Sequence, residues 1–164
     1  MIWEFVFFDK LPFIFLLMAY EQLKLENQIC FPLYATSRLI TREYQPHLDE
    51  LGVTYPQYLV LMLLWEYDEM TINHIAEKLI LKTNTVTPLL KRMETLGIVE
   101  RKRDTVDSRK VYICLTKHGL TLREKAADIP KKLGKKILSD DFTLKDLVKL
   151  QSQLYAIIKR LNAK

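Results

Sequence analysis

Glycine, proline and cysteine are all scarce in this sequence. Its 164 residues include four glycines, six prolines and two cysteines, which excludes collagen-like, low-complexity and disulfide-scaffold proteins. Hydrophobic residues make up 49% and charged residues 27% of the chain, a composition typical of one compact, helix-rich globular domain. Two cysteines are too few for a secreted disulfide framework, so we expect a reducing, cytoplasmic environment.

A long uninterrupted apolar run is also missing. The first 17 residues are mostly large and apolar, but Asp9, Lys10 and Pro12 interrupt them. The longest uninterrupted apolar stretch is therefore well short of the roughly 20 residues that a membrane helix needs. Acidic residues near the start argue against a signal peptide. We therefore expect no membrane partner and interpret residues 1–17 as an extension that is not native, with the natural start at Met18. A genuine hydrophobic arm that packs on a partner subunit is the alternative.

Positive charge is scarce in the first half of the chain and abundant in the second. Residues 1–81 contain 5 Lys and Arg against 11 Asp and Glu, whereas residues 82–164 contain 20 against 9, although the net charge is only +5. This asymmetry favours contact with a polyanion, but basic faces without a nucleic-acid partner are also common. Residues 82–110 contain 8 basic and 4 acidic residues, which makes that segment the candidate for DNA contact.

A helix-turn-helix is predicted within and just before this basic segment. Thr71 is expected to cap the first helix, and the second is expected to begin near Thr83 and to end at Gly97. Small polar side chains in the first turns of the second helix can reach base edges and phosphates in a major groove. The DNA-binding candidates on this helix are Thr83, Asn84, Thr85, Thr87 and Lys91.

After Gly97 the apolar pattern changes to a period of two, which predicts a β-hairpin. Val111, Ile113 and Leu115 alternate with other residues on the far side of a polar turn. Basic residues on the flanks of this turn indicate a wing that contacts phosphates beside the second helix. These basic residues are Arg101, Lys102, Arg103, Arg109 and Lys110.

Helices are predicted at both ends of the chain. One is expected from Leu23 to Tyr44, with a kink at Pro32, followed by a short helix around residues 46–51. Two more are expected between Thr116 and Lys164, and the last carries a long apolar stripe. Because such a stripe has to be covered, we predict a homodimer built from the terminal helices.

Four segments of the sequence resemble the MarR family, and specifically its organic-hydroperoxide-sensing branch, OhrR. They are L-E-N-Q-I-C-F-P-L-Y (25–34), T-Y-P-Q-Y-L (54–59), N-T-V-T-P-L-L-K-R-M-E (84–94) and D-S-R (107–109). The resemblance implies a mainly α, winged helix-turn-helix repressor with a small β-hairpin wing, dimerised through its N- and C-terminal helices. Such a repressor binds an inverted-repeat operator in double-stranded DNA and needs no cofactor.

The resemblance divides residues 18–164, a single MarR-type domain, by role. Dimerisation and sensor helices are expected at about 20–53 and 117–164, and the DNA-binding region at about 54–116. In the DNA contact, Thr83, Thr85 and Pro88 match positions at the groove end of the recognition helix. Asp107 and Arg109 match a wing pair in which the aspartate orients an arginine inserted into the minor groove.

The resemblance also implies how the oxidant is sensed. Cys30 matches the reactive cysteine of the family. Tyr34 and Tyr44 match tyrosines that hydrogen-bond its sulfur across the dimer, and Tyr55 matches a third tyrosine of the same pocket. An organic hydroperoxide would oxidise the thiolate to a sulfenic acid, which a small thiol traps as a mixed disulfide, and the operator is then released.

Other interpretations of these residues stay open. Cys30 would be an ordinary buried cysteine, and the three tyrosines ordinary core aromatics, in a generic dimer. Cys114 lies in the returning strand of the wing and is expected to be structural, which favours a one-cysteine mechanism. We predict no metal site, because the histidines lack metal-ligand spacing. The histidines are His47, His74 and His118.

Two alternative functions compete with the peroxide-sensing repressor. One is a MarR-like regulator that responds to phenolic ligands or general oxidants. The other is a thiol peroxidase that uses Cys30, but no Thr or Arg near it is placed as an oxyanion partner. The helix-turn-helix would also have no role in a peroxidase, so we expect that the protein is not an enzyme.

Overall fold

The computed structural model describes residues 20–104, 107 and 110–163. These residues form two compact units, which divide between Arg42 and Glu43. The described part of the first unit begins with two short 3-10 turns, Glu21–Leu23 and Leu25–Asn27. The predicted extension at residues 1–17 lies outside the described residues.

The first long helix, α1, spans Cys30–Leu51 and corrects the prediction for this region. The predicted helix began at Leu23 and was kinked at Pro32. Because α1 begins only at Cys30, Pro32 lies in its first turn, where a backbone N–H has no helical partner to lose. The separate short helix predicted at 46–51 is also wrong, since α1 continues through Pro46 to Leu51.

Helix α2 (Tyr55–Tyr67) forms the centre of the core in the second unit. Thr54 and Gln57 form a capping box at its start: the backbone N–H of Thr54 donates to Oε1 of Gln57 at 2.8 Å, which satisfies a donor at the helix start. Val60, Leu61 and Leu64 are fully buried. A helix that is apolar on most of its circumference is stable only inside a protein, so other elements of this unit have to cover α2.

The predicted helix-turn-helix is present as α3 (Ile72–Lys78) and α4 (Thr83–Thr95). Thr71 caps α3 as predicted, since its Oγ1 accepts the His74 N–H at 3.3 Å. Helix α4 buries one face of apolar side chains against α2 and α3, which leaves its polar face to solvent. The buried side chains of α4 are Val86, Leu90 and Met93.

A three-stranded antiparallel sheet follows the helix-turn-helix. It contains β1 (Glu69–Thr71), β2 (Val99–Arg103) and β3 (Val111–Leu115) in the order β1-β3-β2. The predicted hairpin is confirmed as β2 and β3. Strand β1 was not predicted, because three residues are too few to show an alternating pattern.

Three helices, not the predicted two, end the chain: α5 (Lys117–Ala126), α6 (Ile129–Ile137) and α7 (Leu144–Asn162). Pro130 explains the additional break, because a proline ring clashes with the carbonyl four residues earlier and favours the first turn of a new helix. Thr143 caps α7, and its Oγ1 accepts the Asp146 N–H at 3.4 Å.

The core of the second unit joins the C-terminal part of α1, the helices α2 to α6 and the sheet. Its largest side chains are almost completely inaccessible to solvent, and their burial supplies most of the driving force for folding. No helix in the described ranges is long and apolar enough to cross a bilayer. The fully buried aliphatic members of the core include Leu48, Leu61, Leu64, Ile75, Val86, Leu90, Ile98 and Ile113.

Candidate sensor and DNA-binding sites

Cys30 is the first residue of α1, and its side chain is exposed. Large apolar neighbours are exposed with it: Phe31 at 42% and Leu33 at 39% of their surface. Tyr34 lies one turn further along α1, and its hydroxyl accepts a hydrogen bond from Nη1 of Arg38 at 3.2 Å. The structure therefore places the predicted reactive thiol on an accessible, apolar surface of the first unit.

In the second unit, the structure brings two of the predicted sensor tyrosines together. The ring centroids of Tyr44 and Tyr55 are 5.2 Å apart. Tyr58, which the sequence analysis did not single out, lies 5.7 Å from Tyr44. Tyr58 follows Tyr55 by three residues, and this spacing is equally typical of an ordinary core residue on a helix, so the sequence pattern alone does not distinguish it. We call Tyr44, Tyr55 and Tyr58 the tyrosine cluster.

The tyrosine cluster keeps its hydroxyl groups protonated. Burial, and then the neighbouring phenols of Tyr55 and Tyr58, raise the pKa of Tyr44 from 10.0 to about 12. Burial also raises the pKa of Tyr55 and of Tyr58. Because a protonated phenol can donate a hydrogen bond and a phenolate cannot, these side chains remain available as donors at neutral pH.

We expect the tyrosine cluster to ionise at a higher pH than the ordinary value for a tyrosine. As the pH rises above 10, the unfolded chain loses the Tyr44 proton before the folded protein does, because the pKa in the folded protein is about 12. The stabilising contribution of this group is therefore complete below pH 10 and is lost between pH 10 and about 12. Absorbance of tyrosinate, followed during alkaline titration, should show a late-ionising class that Tyr44→Phe reduces.

The exposed Tyr20 provides the control for this titration. Because Tyr20 lies outside the tyrosine cluster, Tyr20→Phe should leave the late class unchanged. An unchanged late class in Tyr44→Phe would contradict the prediction.

Helix α4, the predicted recognition helix, presents to solvent each predicted DNA-binding residue that lies on it. Its polar side chains lie opposite the buried Val86, Leu90 and Met93. Thr87 donates its hydroxyl to the Thr83 carbonyl at 2.8 Å, which fixes its rotamer and leaves its oxygen free to accept. The exposed candidates on this helix are Thr83, Asn84, Thr85, Thr87, Pro88 and Lys91.

The wing, formed by β2, β3 and the turn between them, carries exposed basic residues beside the recognition helix. Arg101 forms an ion pair with Glu94, with Nε and Oε2 3.1 Å apart. This pair ties β2 to the last turn of α4, so Arg101 positions the wing as well as presenting charge. The sequence analysis missed Glu94, because an acidic residue late in a helix is usually an ordinary surface charge. Arg103 is exposed at the outer end of β2.

Backbone hydrogen bonds hold the described part of the wing turn. The Asp107 N–H donates to Oδ1 of Asp104 at 2.9 Å, and the Asp107 carbonyl accepts the Lys110 N–H at 2.8 Å. Asp107 is therefore fixed close to the base of the turn. Arg109, its predicted partner, lies outside the described residues, so the orienting role of Asp107 stays a prediction.

Cys114 occupies a very different environment from Cys30. It is buried in β3, in register with Glu69 on one side and Glu100 on the other. Its Sγ lies 3.6 Å from Oε2 of Glu69. Burial raises the pKa of the Cys114 thiol; Lys102 opposes this effect, and both glutamates add to it. Because the thiolate is the reactive form, this environment agrees with the predicted structural role.

Comparison with known proteins identifies the family. A family model described as "Transcriptional regulator SarA/Rot" matches residues 42–129. The organic hydroperoxide resistance transcriptional regulator of Bacillus subtilis (strain 168) is 48% identical over 146 residues, which cover 88% of this chain and 97% of that protein. The chain belongs to the MarR family of transcriptional regulators.

Solved structures of MarR-family regulators match the fold. The structure of reduced AbfR bound to DNA is 39% identical, covers 86% of this chain and 96% of that one, and gives a TM-score of 0.70. AbfR of Staphylococcus epidermidis is 34% identical, covers 88% and 96% of the two chains, and gives a TM-score of 0.67. The predicted fold class, a mainly α winged helix-turn-helix with a small β wing, is confirmed for this MarR-family chain.

Proposed function

We propose that this MarR-family protein is a DNA-binding transcriptional repressor that releases its operator when an organic hydroperoxide oxidises Cys30. The observation that carries the proposal is the exposed position of Cys30 in a chain whose 48%-identical relative is named for organic hydroperoxide resistance. The structure of reduced AbfR bound to DNA supports the link between redox state and DNA. We place its action in the cytoplasm, on an inverted-repeat operator in double-stranded DNA.

The surface of the second unit supports the DNA-binding part of the proposal. Small hydroxyl and amide side chains on α4 suit contacts with base edges and phosphates in a major groove, where bulkier groups would hold the helix away. Exposed Lys91 and Arg103 supply positive charge for phosphates on either side of that groove. We therefore assign DNA binding to residues of about 54–116, and sensing and dimerisation to helices at about 20–53 and 117–164.

The proposed sensing step is a two-electron oxidation of Cys30. The thiolate attacks one peroxide oxygen, the O–O bond breaks, and the alkoxide takes up a proton and leaves as an alcohol, so that the hydroperoxide is reduced and Cys30 becomes a sulfenic acid. A small thiol then attacks the sulfenic sulfur, which forms a mixed disulfide and releases water. The exposed Phe31 and Leu33 favour a hydroperoxide with an apolar organic group over hydrogen peroxide.

In this proposal the tyrosines report the state of the sulfur. Tyr34 and Tyr44 donate hydrogen bonds to the sulfur of the reduced Cys30 across the dimer, and Tyr55 lines the same pocket. A mixed disulfide removes these bonds and adds bulk at a packed surface. The sensor helices then rearrange, and the two recognition helices no longer match the half-site spacing of the operator.

The exposed apolar surface of α7 supports a homodimer. None of the residues of α7 (Leu144–Asn162) is buried, and Tyr155 and Leu161 are 64% and 80% exposed. A contiguous apolar helix face of this kind is rare on a monomer and is typical of an interface. The second copy of the chain is the proposed partner, since an inverted-repeat operator needs two recognition helices related by a twofold axis.

An acidic residue on the apolar face of α7 should break this dimer. Ile158→Asp buries an unpaired charge at the interface and is expected to weaken dimerisation by at least about tenfold. Sedimentation velocity over a range of protein concentrations measures the change. Ser152→Asp, a charge on the polar face of the same helix, is the matched control and should stay dimeric; equal dimerisation of both variants would exclude α7 from the interface.

A mobility-shift assay on the protein's own promoter region tests the proposed function directly. The reduced protein should shift this DNA, and cumene hydroperoxide together with a small thiol should abolish the shift. Persistence of the complex under these conditions would refute peroxide sensing. Repeated consumption of the hydroperoxide with a thiol reductant, without binding to DNA, would favour a thiol peroxidase over the proposed non-enzymatic regulator.

A further inference from the structure

We propose that Tyr58 and Trp65 are positioning residues that transmit the state of the sensor tyrosines to the junction between the recognition helix and the wing. This inference rests on the proposed function, because it concerns how oxidation at Cys30 reaches the DNA-binding surface. All of its contacts lie within the second unit. They form a continuous series from Tyr44 on α1 to Gly97, which lies two residues beyond the end of α4.

The first half of the series is aromatic. Tyr44 lies 5.7 Å from Tyr58 between ring centroids, and Tyr58 lies 6.0 Å from Trp65 in an edge-to-face arrangement, with an angle of 73° between the rings. Tyr58 is only 2% exposed. Rigid rings packed at native density cannot absorb a shift by changing rotamer easily, so a displacement of Tyr44 moves Tyr58 and then Trp65.

The second half of the series is made of hydrogen bonds. The indole N–H of Trp65 donates to the Gly119 carbonyl at 3.1 Å across 54 positions of sequence. The Gly119 N–H donates to Oγ1 of Thr116 at 3.1 Å, and the Thr116 hydroxyl donates to the Gly97 carbonyl at 2.6 Å. The Thr116 N–H also donates to the Ile98 carbonyl at 3.1 Å.

The end of the series is the joint between the two DNA-contacting elements. Gly97 has a φ of +66°, a left-handed conformation that closes α4, and Ile98 leads directly into β2. The Ile98 N–H donates to the Met93 carbonyl at 3.0 Å, which locks this joint to the last turn of α4. A movement of Thr116 therefore changes the angle between the recognition helix and the wing at their common hinge.

The ring contacts of Tyr44 are with Tyr55 and Tyr58 on α2, and the series continues from Tyr58 through Trp65. Trp65 suits the role because its apolar ring packs on Tyr58 while its single polar atom is directed at α5. Removing that polar atom should leave the fold and the DNA-contacting side chains in place. Loss of this N–H should weaken the connection between the DNA-contacting side chains and the tyrosine cluster.

The test compares Trp65→Phe with wild type and with Tyr67→Phe in the mobility-shift assay. Tyr67→Phe is the matched control, since Tyr67 belongs to the same helix but lies outside the series. We expect Trp65→Phe to bind promoter DNA when reduced and to need about tenfold more cumene hydroperoxide for half-release. The control should respond like wild type. Equal release of Trp65→Phe and wild type would overturn the inference and leave the proposed function intact.

Failure of wild type to release DNA would instead refute the proposed function, so the two failures are distinguishable. A second measurement keeps Tyr58 and Trp65 unchanged, so it tests the inference even if Trp65→Phe does not fold. The chain has two tryptophans, and Trp3→Phe leaves Trp65 as the only tryptophan, so that its fluorescence can be followed. Cumene hydroperoxide should shift its emission in this variant but not after the additional change Cys30→Ser. An emission unaffected by oxidation in a variant that still releases DNA would overturn the inference.

Discussion

Cys30→Ser is expected to bind operator DNA as wild type does and to stay bound at hydroperoxide concentrations that release wild type. Serine has nearly the same size as cysteine, so the first turn of α1 is preserved. Its hydroxyl is not ionised at neutral pH and cannot attack a peroxide oxygen. The concentration of cumene hydroperoxide that gives half-release should therefore rise by at least about 100-fold.

Cys114→Ser is the matched control for this experiment, because it removes the other thiol of the chain. Cys114 is buried beside Glu69, so we expect the variant to retain operator binding and release. Intact-mass measurement after exposure to hydroperoxide and a small thiol should find one adduct per chain in wild type and none in Cys30→Ser. Release of Cys30→Ser at the wild-type concentration would contradict the sensor role; loss of release in Cys114→Ser would contradict the one-cysteine mechanism.

Gly119→Ala is expected to destabilise the protein severely. A Cβ at this position would overlap the Ile98 carbonyl oxygen and would also lie 2.9 Å from Cδ2 of Leu115. The oxygen belongs to the backbone at the hinge between α4 and β2, so it cannot move aside as a flexible side chain would. We expect a net loss of about 3 kcal/mol in the free energy of unfolding, even though alanine is the better helix former by about 1 kcal/mol.

Gly134→Ala provides a control with the opposite sign. Gly134 lies within α6, and a Cβ there would meet no atom within 4 Å. The gain in helix propensity then acts alone, and the variant should be more stable by up to about 1 kcal/mol. Thermal and urea unfolding of both variants measure the difference. A Gly119→Ala protein as stable as wild type would show that α5 does not approach the hinge as closely as the structure indicates.

Much of the DNA-binding region could be predicted from the sequence, because its signals are local. The cap at Thr71, the period of α4 and the alternation in β3 depend on residues that lie close together in the sequence. The helix-turn-helix and the hairpin were accordingly confirmed. The start of α1 and the division of the C-terminal region were predicted incorrectly, because Pro32 and Pro130 each fit both a helix interior with a kink and a first turn.

The sequence by itself determined a mainly helical protein with a small hairpin, because the signals for these elements are local. The basic second half and the polar residues of α4 predicted the segment that contacts DNA. The tertiary structure decided that the Cys30 thiol is exposed and that the Cys114 thiol is buried between strands that carry Glu69 and Glu100. It also decided that Arg101 is tied to Glu94 and that Tyr58 and Trp65 connect the tyrosine cluster to the hinge at Gly97. These features join residues from different elements, as far apart in sequence as Trp65 and Gly119. Burial and contact are properties of the packed core, and the pattern of any one segment does not contain them.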